Sequence, residues 1–502
     1  MKTRDLRNDL RRLAALAGCA LLAACTVGPD YVKPKVDTPE TFKESSSAAG
    51  VWKIAAPADR QNRGKWWELF DDPVLNELEG RAALSNQNIV VAEAQFRQAR
   101  AVAQLAHAGY MPTVTLGASA SRFAMSKRAY NQTPANSGPA NDFALPLEVS
   151  WEADIWGRVR RATESAQAEA QAAAAELENV RLSIQAELAI DYFLLRGIDA
   201  ERDLLARTLV AYQKAYDLTV SRHEGGAASD ADVAQSETQL RTAEAQAVDL
   251  RVQRVQLEHA IAILVGGVPS AFSLPMAESS LVPPVVPISV PSQLLERRAD
   301  VASAERQVAA ANARIGIAKA AYYPTLTLGG VAGLESQKAS NWLALPSRFW
   351  ALGADASLLL FDGGRRSAIT DEAQAAYDAT VASYRQTVLV AFQDVEDNLA
   401  ALGILAEEAQ VQEKAVLAAR RSVRQATDRY AAGAASYLDV VIAQTFSLVN
   451  ERAALDVARR RMAASVRLVK AMGGDWTVAD LPTGDEVVAE KQGERGKVKG
   501  KK

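Results

Sequence analysis

Tyr110-Met111-Pro112-Thr113-Val114-Thr115-Leu116-Gly117 returns as Tyr322-Tyr323-Pro324-Thr325-Leu326-Thr327-Leu328-Gly329, 212 positions later. Three further markers recur at a steady offset of 207. Trp156-Gly157-Arg158 matches Gly363-Gly364-Arg365, and Gly266-Gly267 matches Gly473-Gly474. Gly226-Ala227-Ala228-Ser229 with Asp232-Val233 matches Gly433-Ala434-Ala435-Ser436 with Asp439-Val440. A constant offset over so long a stretch marks one structural motif written twice. The five-residue change falls between the first two markers, where an outside loop varies most easily.

Each copy reads as helix, two strands, long helix, turn, helix. After the first strand pair Ala162, Ala166, Ala170, Ala173, Leu177, Val180, Ile184, Leu188, Tyr192 and Leu195 step by threes and fours. Ala373, Tyr377, Val381, Tyr384, Val388, Ala391, Val395 and Leu399 repeat that spacing, and the many alanines let helices approach closely. The long helices, predicted over 157–222 and 365–431, would each span about 100 Å. Helices over 74–109, 230–265, 292–321 and 437–472 are about half as long. Two halves stacked end to end match one long helix, so the pattern predicts a tall wall of two continuous and two broken columns.

The four strand candidates lie at 113–123, 143–154, 325–334 and 349–361. Phe143, Leu145, Leu147, Val149 and Trp151 alternate with Glu148, Ser150, Glu152 and Asp154, as in a wall with lipid on one side and water on the other. Aromatic residues, among them Tyr110, Tyr322, Tyr323, Trp151, Trp156, Trp350 and Phe361, gather near the strand ends like an interfacial girdle. Four strands are too few to close a barrel, and open edges do not stand in lipid, so at least two copies must combine.

Lys2, Arg4, Arg7, Arg11 and Arg12 precede a run of small and apolar residues, Leu13 to Ala24, that is too short to cross a bilayer. It ends in Leu22-Ala23-Ala24-Cys25, which resembles the lipobox of bacterial lipoproteins. The resemblance implies a signal peptide over 1–24 and an acylated Cys25 at the mature N-terminus, with Thr26 favouring delivery to the outer membrane. Cys19 leaves with the leader, so the mature chain cannot form an internal disulfide. Removing the leader, with its five basic and two acidic residues, takes the net charge from −3 to −6, which speaks against a nucleic-acid binder. No later stretch has the apolar length of a membrane-spanning helix, which excludes a helical inner-membrane transporter.

With these features in hand, the chain is identified as a member of the TolC-like outer-membrane factor family. It resembles in particular the lipoprotein branch that serves tripartite resistance-nodulation-division type pumps. The markers are Val27-Gly28-Pro29-Asp30-Tyr31, Trp66-Trp67 with Phe70-Asp71-Asp72-Pro73, and Phe361-Asp362-Gly363-Gly364-Arg365. The most specific is Pro291 to Arg298 with Asp300, running into Ala310 to Gly316. The resemblance implies a mainly helical protomer with four strands. Three copies would form a twelve-stranded transmembrane β-barrel above a periplasmic helical tunnel. It divides the mature chain into an N-terminal and equatorial segment 25–73, a first repeat 74–266, a Pro-rich linker 267–291 and a second repeat 292–474. An equatorial segment with a disordered tail, 475–502, completes it.

The helical turns at Gly225, Gly226 and Gly433 are the expected tips, about 222–230 and 431–437, with glycine supplying backbone freedom. In the family these tips meet a periplasmic membrane-fusion adaptor and close the channel. By motif match Asp439 falls where gate acids ring the axis, Leu438 at an apolar constriction and Tyr430 at a latch, with Asp232 the repeat counterpart of Asp439. Ala435 stands where a latch arginine could be, and Ile442 replaces a second gate acid. The plain alternative for Asp439 is a helix-start residue favoured by the dipole. Glu148, Glu152, Asp154 and Asp355 are candidate lumen acids, since carboxylate rings favour cations. His107, His223 and His259 are scattered without metal-ligand spacing, and no nucleophile or phosphate motif reads as an active site.

The function expected is a passive exit duct for drugs and other toxic small molecules. It would be lipid-anchored in the outer membrane, with no cofactor, and partnered by adaptor, inner-membrane pump and outer-membrane lipid. Alternatives are a type I protein-secretion channel and a pore-free periplasmic coiled-coil scaffold.

Overall fold

The helix bounds obey the repeat. A computed structural model describes residues 26–46, 52–54, 65–126, 138–277, 281–288, 296–474 and 476–489, so the leader, Cys25 and the last residues of the tail lie outside the described part. Helices α1 (Pro73–Ser85), α2 (Gln87–Ala108), α3 (Arg158–Glu224) and α4 (Asp230–Leu264) belong to the first copy. Helices α5 (Ala299–Ala320), α6 (Arg365–Ala431) and α7 (Tyr437–Ala471) belong to the second. Both α3 and α6 run for 67 residues, about 100 Å each.

Neighbour relations set the wall. Near the strands the order is α2, α3, α5, α6, and toward the turns it is α4, α3, α7, α6. Thus α2 stands on α4, α5 stands on α7, and the two broken columns alternate with the two continuous ones. Small residues line the helix contacts: Ala166 and Ala170 of α3 cluster with Ala103 of α2, and α5, which packs on α3, buries Ala310, Ala311 and Ala313.

The stacked joints differ from the expectation of one unbroken helix over 74–109 and another over 292–321. Asn86 breaks the first. Its backbone is extended, its Oδ1 accepts from Asn88 N (2.9 Å) and Ile89 N (3.2 Å), and its Nδ2 donates to Leu264 O (2.8 Å) at the end of α4. Arg298 breaks the second at the repeat-equivalent place. Its Nη1 donates to Ala471 O (3.3 Å), the end of α7, and the guanidinium is held by Asp300 (2.7 Å) and Asp394 (3.0 Å). Gly266 and Gly473, with φ of +71° and +86°, bring the lower helix ends against Ser85 and Arg297, where a Cβ would lie 2.3 and 2.1 Å from a carbonyl oxygen. A polar side chain at each joint therefore satisfies carbonyls that a helix end leaves open.

Strands β2 (Thr113–Leu116), β3 (Ser119–Phe123), β4 (Ala140–Glu152), β6 (Thr325–Ser336) and β7 (Arg348–Ser357) form one antiparallel sheet in the order β2/β3, β4, β6, β7. β2 and β3 keep one register against β4 and are interrupted only at residues 117–118, opposite Pro146, which has no N–H to give. Physically there are four strands, as the alternation predicts. At mid-height β1 (Trp52–Ile54) pairs in parallel with β5 (Val286–Ile288), so the N-terminal segment and the Pro-rich linker meet in a small belt. Trp66 and Trp67 are buried there, and Tyr192 of α3 donates to Asp72 (2.7 Å).

The tail departs from expectation at its start. Gly484–Val488 forms a short helix, α8, that packs on α2 and α3 with Val487 fully buried; Arg100 and Gln167 donate to its carbonyls.

Candidate channel wall, tip and anchor

The register sorts the sheet into two faces. Leu147, Val149 and Trp151 lie opposite Ala332, Gly330 and Leu328, which lie opposite Trp350, Leu352 and Ala354. Glu148, Ser150 and Glu152 lie opposite Val331, Gly329 and Thr327, and Thr327 lies opposite Asp355. One face is therefore apolar and the other polar, across all four strands. The apolar face is bare: Leu116, Trp350 and Leu352 are 70%, 74% and 79% exposed. An exposed apolar band with aromatic ends and a polar reverse is what a bilayer-facing wall requires.

The four candidate lumen acids do not share one role. Glu148 and Asp355 are exposed on the polar face. Glu152 instead holds Arg158 through two contacts, at 2.8 and 2.6 Å. Asp154 accepts from Val159 N (2.9 Å) and Arg160 N (2.8 Å), capping the first turn of α3. These two acids fasten strand to helix and are not free solvating groups.

At the far ends of α3 and α6 the two turns superpose in chemistry. Gly226 and Gly433 have φ of +73° and +72°, and each amide donates to the carbonyl three residues back. Gly225 does not need its freedom: its φ is −81°, and the repeat counterpart is Ala432. Asp439 Oδ2 accepts from Ser436 N and Ser436 Oγ, both at 3.0 Å. Asp232 accepts from Ser229 N (3.0 Å) and Ser229 Oγ (2.8 Å). Both acids close capping boxes at the starts of α7 and α4. The helix-start alternative thus has a visible partner, and it applies equally in both repeats.

Leu438 is exposed on α7 and begins a stripe that continues through Ile442 and Phe446 at steps of four. Tyr430 is buried, packs edge-on against Tyr437 with centroids 5.4 Å apart, and is covered by Arg222 of α3. Sequence reasoning placed Arg222 only in a turn and missed this contact. Its repeat counterpart Arg429 bonds within its own turn, so the repeat carried no signal of the contact.

The segment after Cys25 is clamped where helix meets strand. Val27 N donates to Trp156 O (3.1 Å), Arg160 donates to Thr26 Oγ1 (2.9 Å), and the buried Arg161 pairs with Asp30 (2.8 Å). Asn312 of α5 donates to Pro29 O (2.9 Å), and Tyr31 donates to Glu305. Trp156 stacks on Tyr323 at 4.7 Å and donates to Pro324 O (2.7 Å). The Val27 to Tyr31 marker therefore ties residue 26 to the level of the aromatic girdle.

Comparison with known proteins agrees with this geometry. The chain is 30% identical over 489 residues to a probable efflux pump outer membrane protein, SepC, of Pseudomonas putida, covering 95% of this chain and 98% of the relative. It is 30% identical to the pyoverdine export outer membrane protein OpmQ of Pseudomonas aeruginosa, covering 93% and 98%. Among solved structures it resembles the outer-membrane channel OprN with a TM-score of 0.82 at 29% identity, covering 90% of this chain and 99% of that one. The model of the outer membrane efflux protein family matches residues 78–267 and 290–474, the two repeats that carry the wall. A bare apolar sheet set on 100 Å helices and this match over both repeats make the chain a member of the outer membrane efflux protein family, an outer-membrane efflux channel and not an enzyme.

Proposed function

We propose that three copies join their sheets into one twelve-stranded barrel and their helical walls into a tunnel, forming the passive exit duct of a tripartite pump. The supporting observation is the four-stranded sheet with a lipid-suited face and two unpaired edges, β2/β3 and β7. The outer columns fit the same reading. α6 exposes Leu389, Ile404, Val411 and Leu417, while the opposite column exposes Val91, Val102, Val248 and Val252. Apolar side chains left bare along both outer columns support burial of these faces between protomers.

In this reading Cys25 carries the lipid, Glu148 and Asp355 line the lumen, and the turns at Gly226 and Gly433 meet the adaptor and the inner-membrane pump. Asp439 and Leu438 narrow the closed tip, with Asp232 on the outer turn. The cargo is small toxic or apolar molecules, in keeping with the efflux relatives. Deleting the gene and measuring susceptibility across antibiotics, solvents and chelators tests this. Increased sensitivity restored by the wild-type chain is expected, together with an acylated Cys25 in mass spectrometry of the membrane fraction. Unchanged sensitivity with loss of a secreted protein would favour the type I secretion alternative.

A further inference from the structure

Where the last turns of α3 and α6 meet, one side chain of the first repeat serves the backbone of the second. Arg222 Nη1 donates to Tyr430 O at 2.8 Å, and its guanidinium carbon sits 4.6 Å from the Tyr430 ring centroid. Tyr430 OH lies 3.4 Å from Thr219 Oγ1, and the ring is 5% exposed. Arg222 Nε is buried without an acceptor among the described residues. The arginine therefore forgoes a hydrogen bond to hold this pose.

The repeat shows that this is not the default. At the offset of 207, Arg222 corresponds to Arg429 and Tyr430 to His223. Arg429 Nη2 faces Ala434 O (3.4 Å) in its own turn, and His223 Nδ1 faces Ala228 O (3.0 Å) in its own turn. Of these four repeat-related side chains, only Arg222 and Tyr430 are seen among the described residues to reach across the seam between hairpins. A planar guanidinium suits the task, because it stacks on the ring and donates at its edge at once, which an ammonium cannot do.

The contact is also dispensable to the helix end. Tyr430 O still accepts from Gly433 N (2.9 Å), so removing Arg222 leaves no orphaned carbonyl. Nearer mid-height the hairpins are joined by paired charges instead: buried Glu201 of α3 accepts from Arg452 (2.6 Å) and Arg459 (3.0 Å) of α7. The structure thus combines a doubly paired carboxylate near mid-height with a single arginine on a carbonyl and a ring at the tip.

We propose that Arg222 is a positioning residue that pins the second hairpin's tip to the first and so sets the resting closure of the channel. This rests on the tip being the gate, as read above. The hydroxyl of Tyr430 contributes little, since among the described residues its one hydrogen-bond neighbour is Thr219 at 3.4 Å; its ring and carbonyl carry the hold.

The test is single-channel conductance of the full-length protein in planar bilayers. Entry of a large antibiotic into cells and cross-linking to check assembly accompany it. Arg222→Gln and Tyr430→Ala are expected to raise the open-to-closed ratio on the order of tenfold, the scale of one lost charge-assisted hydrogen bond. Arg222→Lys should fall between, while Tyr430→Phe and Arg429→Gln should match the wild type. If Arg222→Gln does not assemble, Arg222→Met, which keeps the stem, carries the test. If neither assembles, Arg222 is a folding residue and the pin is refuted. Raised conductance in Tyr430→Ala with none in either Arg222 variant refutes the pin and leaves the gate reading standing. No change in any variant refutes both.

Discussion

Carboxylates illustrate how little a residue's type fixes its job. Asp439 and Asp232 hold their own serines, so alanine at either should cost about 1 kcal/mol of helix-start stability. If Asp439 also lines the gate, only Asp439→Ala should weaken block by divalent cations added from the tip side. Equal block in both variants would leave Asp439 as a cap alone. Glu79 of α1 is a different case. It is fully buried, neither carboxyl oxygen has a partner among the described residues, and burial pushes its pKa up to about 9. The folded chain keeps the proton while the unfolded chain loses it above pH 4.5, the ordinary value. Stability should therefore fall as pH rises from 4.5 toward 9. Glu79→Gln, which cannot ionise, should show a flatter profile of apparent Tm over that range. Parallel profiles would mean that Glu79 is not neutral in the fold.

Elements were legible where a pattern had only one cause. The strands came from period-two alternation, and the long helices from spacing that nothing else produces, so both appear within a few residues of their expected ends. The helix breaks were less visible. Ser85-Asn86 is a recognisable capping signal inside a helical pattern, but Arg298 with Asp300, although a sequence marker, does not announce a helix break. Its role depends on Asp394 and Ala471, far along the chain. Likewise Arg222 could not be read as the partner of Tyr430, because helix pairing across the repeats is set by packing and not by spacing. Val487 was lost in a polar tail because one apolar residue carries no periodicity. The joints give a test at this scale. Asn86→Ala removes a cap and strands Leu264 O, at about 2 kcal/mol, and Arg298→Ala takes the donor from Ala471 O and from the partly exposed Asp300 and Asp394, also at about 2 kcal/mol. Both should lower apparent Tm without altering conductance in channels that assemble. A change in conductance instead would place the joints in the gating movement.

At the scale of the whole molecule, one protomer cannot be a finished object in lipid. Among the described residues its sheet has two unpaired edges, and each unpaired backbone group costs several kcal/mol in hydrocarbon. Detergent-extracted protein should accordingly be oligomeric, with no stable folded monomer in light scattering. The two faces of the sheet should then respond oppositely to the same charge. Leu352 lies on the apolar face and is 79% exposed in the single chain, which leaves it to lipid. Arginine there should cost about 2 to 4 kcal/mol if it sits near mid-bilayer, and should reduce the assembled fraction in membranes. Asp355 is three residues along the same strand on the polar face. Arginine there meets water, so the protein should assemble normally while its ion selectivity shifts from cations toward anions. The reverse outcome, Leu352→Arg assembling and Asp355→Arg failing, would mean that the sheet presents its other face to the membrane.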